Sequence, residues 1–545
     1  MSMVSQLPPY SGVMTLHAAT TPKNGAVYTR RWVAETILDL VGYTVDAPLE
    51  EWRIVEPAAG DGSFLVPMLD RLIARARNRN ISLRSLVDAV CAWDIDPGNA
   101  ATCRQIVVDA LLKAGADQDV SSLIAGTWIQ CGDYLLAEPE PADVVVGNPP
   151  YIRWDDLGDQ RAALYRATCR TIRGRGDIYL GFWEKALESL RPGGRAGFIC
   201  ADRWMRNSYG ADLRAMVGNG FDVEAVWTMH DVDAFHEKVM AYPAITVIGR
   251  ATGRAPVVVS TTSEFGEAES RQAARFTLGS AESGSGEGWR GHRLDHWYTG
   301  RGLWPSAAPD TLALLDSLAD LPTLEESGCR IGIGLASGCD ARFVVDDVPE
   351  VELDRLLPMT MGSDLNGTLH WGGHYLVNPW GPDGRLVDLD AYPLLRKWLD
   401  VPEVRNRFVS RKQPQNWFRT IDKVIPGLTS REKLLIADMR PRLSPYLETG
   451  EAYPHHNVYW ITSDRWDLEV LGGLLLSDIA SAFVEAYCVR MAGGTLRLQA
   501  QYLRTIRVPL SDTISGGDAN ALRESFRSRD REKASRVAHD LYGVS

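Results

Sequence analysis

The stretch Asp143-Val144-Val145-Val146-Gly147-Asn148-Pro149-Pro150-Tyr151 decides how this chain is read. Its first half is a short apolar, β-branched run, the mark of a buried strand. Its second half then lies at the carboxyl end of that strand, where open α/β sheets put their ligands. Each proline fixes φ and donates no N–H, which leaves local carbonyls to accept. Asn148 adds a side-chain carbonyl oxygen and Tyr151 a flat stacking face. Such a stiff patch suits a planar group with an exocyclic amine, such as a nucleobase.

Outward from this strand, residues 52–250 alternate strand and helix. Strand-like runs fall at 53–55, 89–93, 127–130, 142–146, 195–200, 223–227 and 244–248. Helices are predicted at 64–77 and 99–113. A third carries Ile178, Phe182, Ala186 and Leu190 at a four-residue step and stops at Pro192-Gly193-Gly194. Strands separated by helices predict a parallel, doubly wound sheet of seven strands over residues 1–255. Residues 256–300, rich in Ser, Gly and Glu from 263 onward, read as a linker or long surface loop. From 301 to 545 short apolar runs mix with many Trp, Arg and Pro. There 518–541 reads as one charged helix that Gly543 could cap.

Composition sets outer limits. The 545 residues, 45% hydrophobic and 23% charged, leave room for two to four ordinary globular domains. No apolar run reaches about 18 residues, so no membrane span is expected. No signal peptide is expected either, and a cytoplasmic, nucleoid-associated location follows. The eight cysteines include no Cys-x-x-Cys and read as reduced thiols, not zinc ligands. His455-His456 has no third ligand at metal spacing, so no metal is expected.

The net charge of −12, taken alone, argues against a nucleic-acid partner. Local distribution argues otherwise. Between Arg405 and Arg442, ten basic residues face only Asp422, Glu432 and Asp438. Arg405, Arg407, Arg411, Lys412, Arg419 and Lys423 are the candidate phosphate contacts. A second cluster runs Arg161, Arg166, Arg170, Arg173, Arg175. Solvated helix faces explain either segment equally well.

Chemistry gathers at the strand ends. The first strand leads into Glu56-Pro57-Ala58-Ala59-Gly60-Asp61-Gly62, whose glycines permit close approach of a ligand. It is neither Gly-x-Gly-x-x-Gly nor a P-loop, and Glu56 suits a cation better than a phosphate. The second ends in Asp94-Ile95-Asp96, where an acid commonly takes ribose hydroxyls, and only one of the two faces the ligand. The third ends in Gly132-Asp133-Tyr134, with an acceptor for an adenine amine and a ring to pack on it. Tight turns and helix caps account for each of these acids individually.

In this order, the four strand ends resemble those of the TaqI-type, gamma-order S-adenosylmethionine-dependent DNA N6-adenine methyltransferases of restriction–modification systems. The resemblance covers roughly residues 20 to 250 and continues to the C-terminus. It implies a Rossmann-like catalytic domain, residues 1–255, with S-adenosyl-L-methionine as cofactor. Residues 25–34 match the family's segment beside the methionine, with Thr29 at a helix N-cap. Glu56, Ala58, Gly60 and Gly62 would face the methionine, Asp94 the ribose, and Asp133 with Tyr134 the adenine. Asn148, Pro149, Pro150 and Tyr151 would hold the target base, and Phe235 would stack on it.

Residues 331–338, 357–365 and 493–510 resemble loops of the family's target-recognition region. A mixed α+β DNA-reading domain over 301–545 is therefore implied. The implied partners are double-stranded DNA and, genetically only, a cognate endonuclease, because no nuclease motif is recognisable. N4-cytosine methylation presents the same amine geometry. Protein glutamine methyltransferases also use Asn-Pro-Pro-Tyr but are much shorter. A non-catalytic DNA-binding defence subunit is the alternative from another class.

Overall fold

The computed structural model describes residues 28–152, 154–174, 176–237, 242–488 and 495–544. Residues 25–27, Arg175 and residues 493–494, used above, lie outside the described residues. The chain forms two compact units, one running to Trp304 with 308–310, the other comprising 305–307 and 311–545.

The first unit is built on β1 (Ile54–Glu56), β2 (Val90–Asp94), β3 (Ile129–Cys131), β4 (Ala142–Gly147), β5 (Leu190–Ala201), β6 (Asp222–Thr228) and β7 (Pro243–Gly249). Their order in the sheet is β3-β2-β1-β4-β5-β7-β6. The first five are parallel, and β7 runs antiparallel to both of its neighbours. Around them lie α1 (Arg31–Leu40), α2 (Leu65–Arg79), α3 (Pro97–Lys113), α4 (Gln118–Trp128), α5 (Asp159–Thr168) and α6 (Tyr179–Ser189). Successive strand residues face opposite sides of a sheet. On β5, Gly197 lies under Ile37 and Val41 of α1 and its following residue, while Phe198 packs on Trp183 of α6 at 4.6 Å. Both faces are thus covered, which is why β4 is apolar throughout its buried length. This is the expected α/β Rossmann-like architecture, except that the sheet is mixed and not wholly parallel as predicted, because β7 is inserted antiparallel between β5 and β6.

The order in which strands are added reverses between β1 and β4, which run parallel. From β1 the chain moves outward through β2 and β3, then returns to pair β4 on the other side of β1, Val55 opposite Val145. A Cβ on Gly147 would sit 3.3 Å from the Pro57 ring, so the two strand tips are nearly in contact. Ligands of doubly wound sheets bind in this crevice.

Four expectations are corrected. Residues 256–300 are not a linker. They carry β8 (Val257–Thr261), α7 (Glu267–Leu278), β9 (Ser283–Gly286) and β10 (Trp289–Arg293), which extend the seven strands to ten. The glycines that suggest a flexible loop are packing devices. Gly284 and Gly291 pair across β9 and β10, and a Cβ at either would collide with the Phe276 ring. Residues 127–128 belong to α4, because Trp128 is fully buried with its Nε1 donating to Leu86 and Val87 carbonyls. Pro192-Gly193-Gly194 does not follow a helix end directly. It bulges out of β5, where register jumps from Ala142–Leu190 to Val144–Arg195. Finally, 518–541 is two helices, Gly516–Ser528 and Arg531–Tyr542, broken at Arg529 with φ 59°. Asp530 caps the second through Lys533 N–H, and Gly543 ends it in the left-handed conformation.

The second unit is mixed α+β. Cys329–Ile333, Val458–Ser463, Lys433–Ala437 and Tyr446–Glu448 form an antiparallel sheet in that order. A second sheet joins Val344–Val345, Tyr375–Val377, Leu356–Thr360 and Tyr453–Pro454. Leu468–Leu476, Asp478–Tyr487 and the two C-terminal helices complete it. Among the described residues no single helix is long and apolar enough to cross a membrane.

Candidate active site

Glu56 closes β1 and is 1% exposed. Its Oε2 has no hydrogen-bond partner among the described residues. Burial, reinforced by Asp94 and Asp61, holds its carboxyl well above the usual carboxylate range. An unpartnered buried acid beside other acids is suited to a cationic group. The same field acts on Tyr28, whose hydroxyl is raised first by burial and then by Asp61, Asp94, Glu237 and Asp96. Gly60 and Gly62 turn the chain here with φ of 57° and 87°, values a side chain at either position would strain.

Asp94 and Asp96 divide their roles. Asp96 caps α3 by accepting from Gly98 and Asn99 N–H at 2.7 and 3.1 Å. Asp94 is buried and accepts from Gly60 N–H at 2.7 Å, tying the tip of β2 to the glycine turn after β1. Asp133 caps a short turn through Leu135 N–H and accepts the Tyr165 hydroxyl at 2.7 Å. Sequence reasoning misses Tyr165, since nothing in the spacing of α5 marks it as a partner of a residue 32 positions earlier. Tyr134 is buried, stacked on Phe182 at 5.7 Å and edge-on to Trp93.

Thr29 is not the N-cap of α1, because Arg30 occupies that position. The Thr29 hydroxyl instead accepts from Asn148 Nδ2 at 3.1 Å. Tyr28 to Arg30 form a short antiparallel ribbon with residues 234–236. Thr29 bridges Phe235, Arg30 N–H donates to Ala234 O, and His236 N–H donates to Tyr28 O. Phe235 meets the edge of Tyr151 with centroids 6.3 Å apart. Three segments distant in sequence therefore converge at the end of β4. Pro149 and Pro150 continue the chain from Asn148 without regular structure, and Ala58 lies in the turn after Pro57.

The basic segments are less uniform than their sequence suggests. Arg407 is buried and gives its guanidinium to the carbonyls of Val404, Ser337, Trp417 and Arg419, so it is corrected from phosphate contact to structural brace. Arg405 pairs with Asp400 at 2.8 Å and lies 3.6 Å over the Trp417 ring. Arg419 bonds Gln413 and the carbonyls of Thr420 and Ile421. Arg411, Lys412 and Lys423 are exposed and form no ion pair among the described residues. In the second cluster, Arg170 pairs with Glu184 and Glu188, and Arg173 with Asp212. Arg166 lies over Trp154. His455-His456 also requires correction. A third ligand does exist in space, Asp340, which is 115 residues earlier in the chain.

The chain is similar to known proteins over nearly its whole length. The profile of the Eco57I restriction-modification methylase family matches residues 129–235, from β3 to Phe235. Type II methyltransferase M.XhoI of Xanthomonas vasicola is 38% identical over 543 residues, 96% of this chain and 98% of that protein. M.PaeR7I of Pseudomonas aeruginosa is 39% identical over 96% of this chain and 92% of its own length. Among solved structures, the type IIL restriction-modification enzyme MmeI in complex with DNA shares 14% identity and a TM-score of 0.46, covering 94% of this chain and 74% of that one. Relatives this similar over nearly their full lengths establish that the chain belongs to the type II restriction–modification methyltransferases.

Proposed function

We propose that this chain methylates the N6 amine of an adenine that has left a DNA duplex, using S-adenosylmethionine, and so protects host DNA from a cognate endonuclease. The observation that carries this reading is the convergence of Thr29, Asn148, Tyr151 and Phe235 beside the orphaned acid Glu56. The acidic crevice suits a ligand bearing an ammonium and a sulfonium. When bound, S-adenosylmethionine supplies an electrophilic methyl group.

The chain's own residues position the rest. Glu56 and the turn through Ala58, Gly60 and Gly62 receive the ammonium end. Asp94 accepts from ribose hydroxyls, and Asp133 with Tyr134 holds the cofactor adenine. In-line displacement makes placement a large part of the catalysis. The target amine is a poor nucleophile because its lone pair is shared with the ring. The Asn148 side-chain oxygen and the Pro149 carbonyl accept its two N–H bonds and stabilise positive charge as it develops on nitrogen. Tyr151 and Phe235 replace the stacking that the extruded base loses. No strong general base is required. Arg411, Lys412 and Lys423 of the second unit contact phosphates, with Arg405 and Arg419 in support, and that unit reads the target sequence.

The test is methylation of duplex DNA with labelled S-adenosylmethionine, followed by digestion to nucleosides. Label in N6-methyladenine is expected; label in N4-methylcytosine or in protein would refute the reading.

A further inference from the structure

We propose that Asp340, His455 and His456 of the second unit bind a divalent transition-metal ion of the zinc type. The His455 Nε2 lies 3.2 Å from Asp340 Oδ2 and 3.0 Å from His456 Nδ1, and all three ligand atoms fall within 4.8 Å of one another. Ligands around tetrahedral zinc, at about 2.0–2.1 Å from the metal, stand about 3.3 Å apart. The two measured edges agree with that spacing to a few tenths of an ångström.

The surrounding bonds fix which nitrogen of His455 would face the ion. Asn457 Oδ1 accepts Gly362 N–H at 3.1 Å, so that atom is the oxygen of the amide. His455 Nδ1 lies 2.9 Å from the same oxygen and must carry a proton to bond it. In the neutral ring Nε2 then holds a lone pair, aimed at a carboxylate oxygen and a second imidazole nitrogen. Metal-binding histidines are commonly oriented this way, their other N–H donated to a carbonyl. His455 is buried, whereas Asp340 and His456 are exposed, which leaves the fourth position to water. The ion would brace the turn at Leu335, whose N–H and carbonyl already bond Pro454 and His456.

The rival occupant of this space is a proton, with His455 charged and paired to Asp340. Full-length protein without a histidine tag, titrated with Co2+, distinguishes the two. The expected result is one equivalent of Co2+ with visible d–d absorption, displaced by Zn2+. Asp340→Asn and His456→Ala alter exposed side chains and should each weaken Co2+ binding roughly tenfold or more. Their far-ultraviolet circular dichroism should stay as in the wild type. Absence of the Co2+ spectrum in the wild type would overturn the site, as would unchanged affinity in both variants.

Discussion

Thr29→Val removes one hydroxyl from a side chain that is 2% exposed and leaves its backbone bridge to Phe235 in place. Asn148 Nδ2 loses the Thr29 acceptor now at 3.1 Å. Withdrawing an acceptor from this part-buried donor costs at most about 1–3 kcal/mol. That cost falls on the amide orientation in which nitrogen faces Thr29 and oxygen faces the base. Since 1.36 kcal/mol is a factor of ten in rate, single-turnover methyl transfer should slow by up to roughly 5- to 150-fold. Affinity for S-adenosylmethionine should change little, because Thr29 acts through Asn148. Thr29→Ser keeps the oxygen and should restore most of the rate. The assay is rapid-quench transfer of labelled methyl to duplex DNA at saturating cofactor, with urea unfolding alongside. If Thr29→Val were less stable yet transferred methyl at the wild-type rate, the bond would be structural only and the positioning role would be wrong.

Gly284→Ala puts a Cβ 2.7 Å from the Phe276 ring, and such overpacking should cost about 1–3 kcal/mol by urea titration. An unchanged midpoint would refute the packing of that hairpin. Arg407→Met should destabilise the second unit without altering the salt dependence of DNA binding. Neutralising Arg411, Lys412 and Lys423 should flatten that dependence by about 2–3 in log–log slope. The reverse pattern would return Arg407 to the DNA surface. Burial, with Asp94 and Asp61 beside it, raises the Glu56 carboxyl well above its ordinary range. The stability this gives is complete below the ordinary carboxylate range and is lost as pH rises toward the folded value. Glu56→Gln does not titrate, so its stability relative to wild type should rise as pH climbs above the ordinary carboxylate range. A difference independent of pH would contradict the buried acid.

The sheet was legible wherever strands are buried on both faces, as at β4, because nothing but an apolar β-branched run satisfies that position. Legibility failed where composition imitates flexibility. Gly284 and Gly291 are required by an aromatic ring above them, a contact that periodicity does not encode. In the site, strand tips announce themselves by following strands, which is how Glu56, Asp94 and Asn148 were found. The bonds between the tips were not visible. Tyr165 to Asp133, Gly60 to Asp94 and Thr29 to Asn148 join residues 32, 34 and 119 positions apart. Charge counting erred for a related reason. A guanidinium that satisfies four buried carbonyls, as in Arg407, looks in sequence like one that faces solvent.

The ribbon of Tyr28–Arg30 with 234–236 has a consequence for when activity can appear. Its two strands are separated by about two hundred residues, which include nearly the whole inner sheet. Closing so long a loop must wait until the intervening strands have paired. During synthesis β1 to β4, whose ends line the proposed cofactor crevice, can assemble first, while the aromatic partner of Tyr151 is still untranslated. On the proposed reading, a nascent or truncated chain ending before β6 would carry the methyl-donor residues and Asn148 to Tyr151 but lack Phe235 and the ribbon that seats Thr29.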